Sequence, residues 1–346
     1  MTLLSDTVGR VFGALATKEL IESAEQGVWP EKLWGALEEG GLTLPLVSEA
    51  AGGAGGTWLD AHVVVRASGR HTAPVPLAET IIAGWLLSRA GLEVPFGPLT
   101  IAPVHAGEAL TLARRGGALA VTGTATRVPW GRHAGHVVTV ADVDGRPSIA
   151  LIATSGARIS EGANLAREPR DTLTFDGATV LAAAASDVTA DTIRLYGAMA
   201  RAAQMAGALD ACLEQAVRYA TERKQFGRPI GSFQVIQQNL AVLAGHVAAS
   251  GIAAESAFRA ADRGDARFEI AVAKIRVGEA AGVGAGIAHQ THGAIGFTYE
   301  HSLHFATRRL WSWRAEFGSE SAWARELGAS VAARGADALW RDLTAR

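Results

Sequence analysis

The stretch 217–238 carries the side chains of this chain that are best suited to bind a ligand. Arg223, Gln225 and Phe226 place a guanidinium, a side-chain amide and an aromatic ring close together. The planar guanidinium pairs well with phosphate oxygens and stays charged at every working pH. The stretch therefore predicts a site for a phosphate-bearing ligand. The alternative is an ordinary helix end, at which Arg223 and Lys224 only complement the helix dipole.

Two helices must hold these side chains in place. Leu209, Leu213 and Val217 recur at helical spacing and predict a helix with a basic C-terminal end. We expect this helix to break at Gly227, because glycine readily takes the left-handed conformation that closes helices. A second long helix is predicted to begin at Phe233.

Composition limits the class of protein. The chain has 346 residues, of which 49% are hydrophobic and 19% charged, and a net charge of −2. These values predict a globular protein of two or three domains, and they exclude a disordered or nucleic-acid-coating chain. Cys212 is the only cysteine, so no disulfide forms within the chain. Because we find no signal-type leader and no apolar run of bilayer length, we expect a cytoplasmic protein that does not enter membranes.

Hydrophobic periodicity divides the chain into three parts. Residues 1–110 have the periodicity of helices, residues 111–185 that of short strands, and residues 186–346 that of helices again. Asp144 and Gly145 form a tight hairpin signal between two of the strands. The predicted fold class is mostly α with a small antiparallel β middle domain. The predicted strands include 118–123, 136–140, 148–152 and 171–175.

Three stretches resemble the acyl-CoA dehydrogenase family. The first is the order Arg-x-Gln-Phe-Gly-x-x-Ile-x-x-Phe-Gln that begins at Arg223. The second, residues 290–300, is similar to the family's Gln-x-x-Gly-Gly-x-Gly-Phe turn. The third, residues 33–55, resembles the N-terminal helix pair and its glycine turn. The resemblance implies an N-terminal helical domain, a β-domain and a C-terminal four-helix bundle.

The resemblance also implies a reaction. In this family, FAD accepts a hydride from Cβ of an acyl-CoA thioester while a carboxylate base removes the α-proton. The two glycine-containing turns of one subunit reach the diphosphate and adenosine half of an FAD that is seated mainly in a neighbour. In this chain the implied cofactor-binding residues are Arg223, Gln225, Phe226, Gln290, Gly293 and Ala294. No metal is implied.

One of these residues departs from the family pattern. Ala294 replaces the second glycine of the family's turn and adds a Cβ where the backbone should approach the diphosphate. The replacement costs little if Ala294 has an ordinary φ and more if its φ is positive.

The residues at the positions that hold the flavin ring in the family match the family's motifs poorly. The stretch 100–108 lacks the Gly-Ser-Asp step whose hydroxyls hold the ring in the family. The family's Trp-x-Thr/Ser-Asn strand is also replaced. Trp130 stands there, and it either stacks on an aromatic ligand or packs in the core.

The position of the catalytic base also departs from the family pattern. Phe317 occupies the place of the usual glutamate, and Glu316 and Glu320 flank it. On a helix, an offset of one residue turns a side chain by about 100°. The alternative position that some members use holds Ile193. Glu316 is therefore a weak candidate for the base.

These matches and mismatches favour an asymmetric assembly. The leading hypothesis is a subunit of a heteromeric bacterial acyl-CoA dehydrogenase of steroid or side-chain degradation, in which this chain completes the FAD site of a related partner. We expect a heterotetramer that uses an acyl-CoA substrate and an electron-transfer acceptor. The first alternative is a self-sufficient homo-oligomeric dehydrogenase with Glu316 or Glu320 as base. The second is a non-redox scaffold with the same fold.

Overall fold

The structure is a computed structural model that describes residues 3–105, 107–189 and 191–344. Ala106, which belongs to the stretch 100–108, and the first two residues of the chain lie outside the described ranges.

The N-terminal part is helical up to Arg89. Five α-helices lie in the described residues of this part, where the periodicity of residues 1–110 predicts helices. Thr57 begins α4 with a capping box, since its side chain accepts from the Asp60 backbone N–H and Asp60 accepts from that of Thr57. The helices are α1 (Leu3–Leu15), α2 (Lys18–Glu25), α3 (Glu31–Glu39), α4 (Trp58–Arg70) and α5 (Leu77–Arg89).

The middle part is a twisted sheet with the strand order β1-β4-β5-β7-β3-β2, and β6 pairs with β7. Every pairing is antiparallel except β1 with β4, which is parallel. Asp144 and Gly145 form the predicted hairpin with φ values of 51° and 80°. The strands are β1 (Leu99–Ile101), β2 (Thr111–Arg115), β3 (Ala118–Pro129), β4 (His136–Val143), β5 (Arg146–Ala153), β6 (Ala157–Ser160) and β7 (Arg170–Ala185).

The first strand corrects the predicted start of the β region. Strand β1 lies inside residues 1–110, which were expected to be helical, yet Leu99 to Ile101 pair with His136 to Val138. A three-residue strand is too short to show periodicity, so its apolar residues were not distinguished from a helix segment.

The C-terminal part is a helical bundle. Helices α6, α7, α8 and α10 pack together, and α9 packs on α6 and α8. The helices are α6 (Asp191–Glu222), α7 (Gln234–Arg263), α8 (Arg267–His292), α9 (Leu303–Trp313), α10 (Glu320–Arg334) and α11 (Ala336–Thr344). This arrangement confirms the predicted fold class, a mostly α protein with a small β middle domain.

Helix α6 ends earlier than predicted. It stops at Glu222, and the next residues form a two-stranded ribbon of β8 (Lys224–Gln225) and β9 (Arg228–Pro229). Phe226 and Gly227 join the two strands with φ values of 51° and 81°. Gly227 does adopt the left-handed conformation, but in a tight hairpin turn and not at a helix end. The prediction that the helix breaks there was wrong.

Helices α4 and α6 cross in close contact at two glycines. A Cβ on Gly207 would lie 2.0 Å from the Arg66 carbonyl oxygen, and a Cβ on Gly69 would lie 2.0 Å from that of Gln204. No side chain fits in either place. The N-terminal helices are thereby packed directly on the bundle, and the backbone amides of Trp58 and Leu59 add hydrogen bonds to Asp262 on α7.

Helix α7 differs from the expectation that no apolar run reaches bilayer length. Within the described residues it is the one helix that is long and apolar enough to cross a membrane by length and composition. In the structure it packs against α6 and α8.

Candidate cofactor groove and cleft

The two turns singled out in the sequence come together in space. Arg223, Gln225, Gln290, Gly293 and Ala294 line one open groove of about 410 Å³, which we call the hairpin groove. The turn after α6 supplies the first two residues, and the end of α8 supplies the other three. Residues that are far apart in the sequence thus share one surface.

The guanidinium of Arg223 has no partner among the described residues and is free to bind a ligand. Its side chain is exposed and forms no ion pair or hydrogen bond to other residues of the described chain. Its backbone is fixed, because its N–H donates to the Tyr219 carbonyl (2.9 Å) and its carbonyl accepts from the Ile230 N–H (2.8 Å). A fixed backbone with a free cation suits an anionic ligand.

The turn after α8 has the backbone that a close approach requires. Gly293 has a φ of 65°, a conformation that disfavours any side chain, although a Cβ there would meet no atom within 4 Å. Ala294 follows within the 3-10 turn Gly293–Phe297 and does not have a positive φ. Replacing the second glycine by alanine therefore costs little at this position.

Phe226 lies outside the groove lining. It stands at the tip of the hairpin with 92% of its surface exposed and meets Phe233 edge-on, with ring centroids 6.1 Å apart. The guanidinium of Arg228 lies 4.3 Å from the ring centroid of Phe233. The structure brings five of the six predicted cofactor residues to one groove and leaves this ring beside it.

A second cavity opens between the sheet and the bundle, and we call it the cleft. It measures about 350 Å³. Arg127 and Pro129 line it from β3, Trp311 lines it from α9, and Glu316 and Phe317 line it from the segment that follows. Glu316, the candidate for the catalytic base, therefore does line a cavity, whereas Glu320 does not line it.

Glu316 is held by two arginines at the floor of the cleft. Its Oε1 accepts from Nε of Arg170 and its Oε2 accepts from Nε of Arg201, both across 2.7 Å. Asn164 Nδ2 donates to Oε1 as well, across 3.3 Å. Burial alone would raise the pKa of Glu316, but the charges of Arg170 and Arg201 outweigh it and lower the pKa to about 2. Such a carboxylate is a poor proton acceptor near neutral pH.

The ion pairs continue behind Glu316 into the core. Arg201, which is 2% exposed, also contacts Glu79 of α5. Arg170 pairs with Glu168 across 3.0 Å, and the Nε of Arg309 lies 3.1 Å from the same carboxylate. Glu168 also accepts a hydrogen bond from the indole N–H of Trp313, at 2.9 Å. The buried network balances Glu79, Glu168 and Glu316 against Arg170, Arg201 and Arg309.

The other candidate positions for a base supply none either. Phe317 is 4% exposed, with a φ of 54°, and its ring packs so closely on α6 that a Cβ on Gly197 would lie 2.3 Å from it. Ile193 is buried in the first turn of α6. Glu320 accepts from Nε of Arg314 across 2.9 Å, and this hydrogen bond lowers the pKa of Glu320. Among the described residues, no unpaired carboxylate stands at any of these positions.

The segment after α9 is anchored by a buried lysine. Lys274 of α8 donates from Nζ to the carbonyls of Arg314 and Gly318, each across 2.7 Å. Burial lowers the pKa of Lys274 to about 7. The lysine fixes both ends of the turn that carries Glu316 and Phe317.

Trp130 packs in the core. It is 5% exposed and lies against Trp29 and His133, with ring centroids 6.5 Å and 6.0 Å away. Of the two interpretations of Trp130, the structure supports the packing role. Its indole is not available to a ligand ring.

Sequence reasoning missed the arginines of the buried network. Arg201 interrupts an Ala-rich stretch of α6, and Glu79 interrupts the apolar stretch of α5. A charge in an otherwise apolar helix face indicates a buried pair, because arginine and glutamate are rarely buried alone. That signal was present in the sequence, but it does not identify the partner.

Family profiles match both helical parts of the chain. The profile described as "Acyl-CoA dehydrogenase, N-terminal domain" matches residues 2–94, and "Acyl-CoA dehydrogenase, C-terminal domain" matches residues 191–330. The chain is 30% identical over 322 residues to acyl-CoA dehydrogenase IpdE2 of Mycobacterium tuberculosis, with 89% of each chain covered. It is 27% identical over 339 residues to acyl-CoA dehydrogenase FadE27 of the same organism, covering 87% of this chain and 88% of that relative.

Solved structures share the whole architecture. A chain of the ChsE4-ChsE5 complex from Mycobacterium tuberculosis aligns with a TM-score of 0.87 at 25% identity, covering 96% of this chain and 98% of that chain. A chain from a variant of the Tcur3481-Tcur3483 steroid ACAD aligns with a TM-score of 0.85 at 26% identity, covering 94% and 95%.

Proposed function

Because this chain belongs to the acyl-CoA dehydrogenase family, we propose that it is a subunit of a heteromeric acyl-CoA dehydrogenase. In that assembly it completes the FAD site of a related partner subunit and performs no chemistry in its own cleft. The observation that carries the proposal is a contrast between two sites. The hairpin groove presents a free arginine, whereas the carboxylate at the cleft is held by two arginines.

The hairpin groove fits the diphosphate half of a dinucleotide. It combines the unpaired guanidinium of Arg223, the amides of Gln225 and Gln290, and the glycine turn at Gly293. Guanidinium and amide N–H groups donate to phosphate oxygens, and a turn without a side chain lets backbone approach them. When bound, FAD supplies the hydride acceptor for Cβ of the substrate. Arg223 would bind the diphosphate, and the two glutamines would orient it.

The cleft lacks what dehydrogenation requires of the protein. Removal of the α-proton needs a carboxylate that can take a proton near neutral pH. Phe317 fills the usual place, and Glu316 is ion-paired on both of its oxygens. The partner subunit must therefore supply the base.

The buried network also closes the space behind the cleft. Arg201 bridges Glu316 and Glu79, so charged side chains occupy the region between α5, α6 and the turn after α9. An acyl chain inserted there would break ion pairs that have little access to water, which costs several kcal/mol. This chain is therefore unsuited to hold a substrate's acyl group in the space behind its cleft floor.

The relatives support an assembly of unlike chains. The ChsE4-ChsE5 complex and the Tcur3481-Tcur3483 steroid ACAD are each named for two components, and this chain aligns with a chain of each over more than nine-tenths of its length. A bulky polycyclic CoA thioester is accordingly our proposed substrate class for the assembly. An electron-transfer acceptor would reoxidise the flavin.

Co-expression tests this function. The chain is produced alone and together with a related subunit that retains the glutamate base and the Gly-Ser-Asp loop, and bound flavin is measured by absorbance. We expect almost no flavin on the isolated chain, and FAD with acyl-CoA-dependent reduction of an electron acceptor in the complex. A tightly bound FAD on every copy of the isolated chain would support the self-sufficient enzyme. Absence of flavin from both preparations would support the non-redox scaffold.

A further inference from the structure

We propose that the cleft of this chain remains a binding site, without turnover, for a mainly apolar small molecule that carries one carboxylate group. The inference rests on the proposed function in one respect, namely that the cleft performs no dehydrogenation. It assigns the cleft a ligand of its own, separate from the FAD that the hairpin groove helps to hold.

One charge at the cleft is not neutralised. The network behind the floor is balanced, with equal numbers of arginines and glutamates. Arg127 lines the cleft in addition and is exposed, and its guanidinium forms no ion pair or hydrogen bond with the rest of the described chain. An unpaired guanidinium beside a partly enclosed cavity favours an anionic ligand, and its planar fork matches a carboxylate.

Arg127 is held at the cleft by an unusual backbone. Strand β3 changes register against β7 between Ala125 and Val128, and Arg127 within this bulge has a φ of 52°. Glu108 fixes the bulge, since it accepts from the Thr126 backbone N–H across 3.0 Å and contacts the Thr126 hydroxyl. A left-handed backbone at a bulky residue costs of order 1–3 kcal/mol and persists where the surroundings impose it, commonly at ligand sites.

The remaining walls suit an apolar body. Leu165 and Trp311 line the cleft with 66% and 40% of their surfaces exposed, and Phe317 lines it from the floor. Exposed large apolar side chains around a concavity are typical of ligand sites. The cavity volume of about 350 Å³ lies in the range of small-molecule sites, roughly 300–1,000 Å³.

The imidazole of His105 is a second polar group on the cleft lining. His105 lines the cleft, and its Nε2 is buried without a hydrogen-bond partner among the described residues. A buried imidazole nitrogen without a partner carries a desolvation cost that a ligand or water oxygen would remove. With its Nε2 protonated, His105 adds to Arg127 a second group on the cleft lining that can donate to a carboxylate.

Calorimetric titration of the full chain, alone and in its complex, tests this site. The probes are naphthoate and its uncharged analogue naphthamide, which share one ring system and differ in charge. We expect naphthoate to bind saturably and more tightly than naphthamide. Arg127→Asn should weaken naphthoate binding roughly tenfold or more, because a charge-assisted hydrogen bond is lost, and should leave naphthamide binding unchanged. Asparagine is chosen because it tolerates a positive φ.

The matched control is Arg158→Asn. Arg158 is an exposed arginine of the same domain, on β6, and does not line the cleft. Arg158→Asn should leave the affinities for naphthoate and naphthamide unchanged, whereas Trp311→Phe should weaken the binding of both. Absence of saturable naphthoate binding, or equal binding by wild type and Arg127→Asn, would refute the site and leave the proposed function untouched. Loss of FAD from the complex in Arg127→Asn would overturn both the carboxylate site and the proposed function, because the cleft would then be a flavin-binding site.

Discussion

The Nε of Arg201 donates to Oε2 of Glu316 across 2.7 Å, and the same arginine contacts Glu79 on its other side. A guanidinium between two carboxylates fixes the floor of the cleft. The charges of Arg170 and Arg201 lower the pKa of Glu316, so Glu316 is a poor substitute for the glutamate that is missing at position 317.

Arg223 should contribute to FAD affinity in the heteromeric complex. Arg223→Ala removes a charge-assisted contact to phosphate, so we expect FAD binding to weaken by roughly 1.5–3 kcal/mol. Equilibrium dialysis of FAD against the purified complex measures the change. Arg218→Ala is the control, because Arg218 is an exposed arginine of the last turns of α6 that pairs with Glu214 and does not line the groove. An affinity unchanged by Arg223→Ala would disprove the assigned role.

Glu316 should make the stability of the chain sensitive to acid. Its pKa is lowered in the folded state, so its stabilising contribution is complete above the ordinary value of 4.5 and is lost as pH falls towards about 2. Glu316→Gln should remove this dependence. It should also destabilise the chain by about 3–5 kcal/mol at neutral pH, since two buried arginines lose their shared partner.

Urea unfolding between neutral and acid pH measures both effects of Glu316→Gln. Glu300→Gln serves as the control, because Glu300 is exposed and its side chain has no partner among the described residues. Equal acid dependence in wild type and Glu316→Gln would contradict the ion-paired arrangement.

Lys274 should make the stability of the chain depend on pH between about 7 and 10.5. Burial lowers its pKa from 10.5 to about 7, so the unfolded chain binds the extra proton between these values and stability should rise with pH across that window. Lys274→Met leaves the carbonyls of Arg314 and Gly318 without their donor. We expect a loss of about 1–3 kcal/mol at pH 7 that grows as pH rises, measured by thermal unfolding. A variant that keeps the wild-type pH slope would show that Lys274 does not cause it.

Restoring a glutamate at the usual place should not restore activity. In Phe317→Glu the new carboxylate would lie near Arg201, whose guanidinium is 5.5 Å from the present ring. The arginine would hold the carboxylate ionised, and the buried network would still occupy the space behind it. Acyl-CoA dehydrogenase activity of the isolated variant should remain at background. Turnover by this single substitution would show that the missing base was the only defect.

The glycine contacts between α4 and α6 should be essential for stability. Gly207→Ala places a methyl group 2.0 Å from the Arg66 carbonyl oxygen and must push the helices apart, so we expect a loss of at least about 1–3 kcal/mol. Gly286→Ala on α8 is the matched control, because a Cβ there meets no atom within 4 Å. That substitution should be neutral or stabilising by up to ~1 kcal/mol. Similar melting temperatures for the two variants would contradict the close crossing.

Long periodic elements could be predicted from the sequence, and the short ones could not. The repeat of Leu209, Leu213 and Val217 was sufficient to predict α6, and the signal at Asp144 and Gly145 predicted a hairpin that the structure contains. Strand β1 and the ribbon after α6 were missed because a few residues carry no period. The apolar content of α7 was underestimated because polar uncharged residues interrupt its apolar ones, although its charged residues all stand in the last third of the helix, from Glu255 onward.

The residues of the hairpin groove could likewise be predicted from the sequence, whereas the ion pairs at the cleft could not. The groove residues were found because they stand in two contiguous motifs around Arg223 and Gln290. The ion pairs around Glu316 were not found, because Glu79, Arg170 and Arg201 come from three distant elements and only tertiary packing joins them. Sequence reasoning identified Glu316 as a weak base candidate, but its pairing with two arginines depends on the fold.

Helix α6 separates the cleft, near its first half, from the hairpin groove at its C-terminal end. Arg201 lies in its first half and Arg223 directly follows its last residue, which places their backbones roughly 30 Å apart at 1.5 Å per residue. At that distance the side chains of Arg201 and Arg223 make no contact with each other. Under the function proposed above, the chain can therefore lack catalysis in its own cleft and still bind the partner's FAD at the other end of α6.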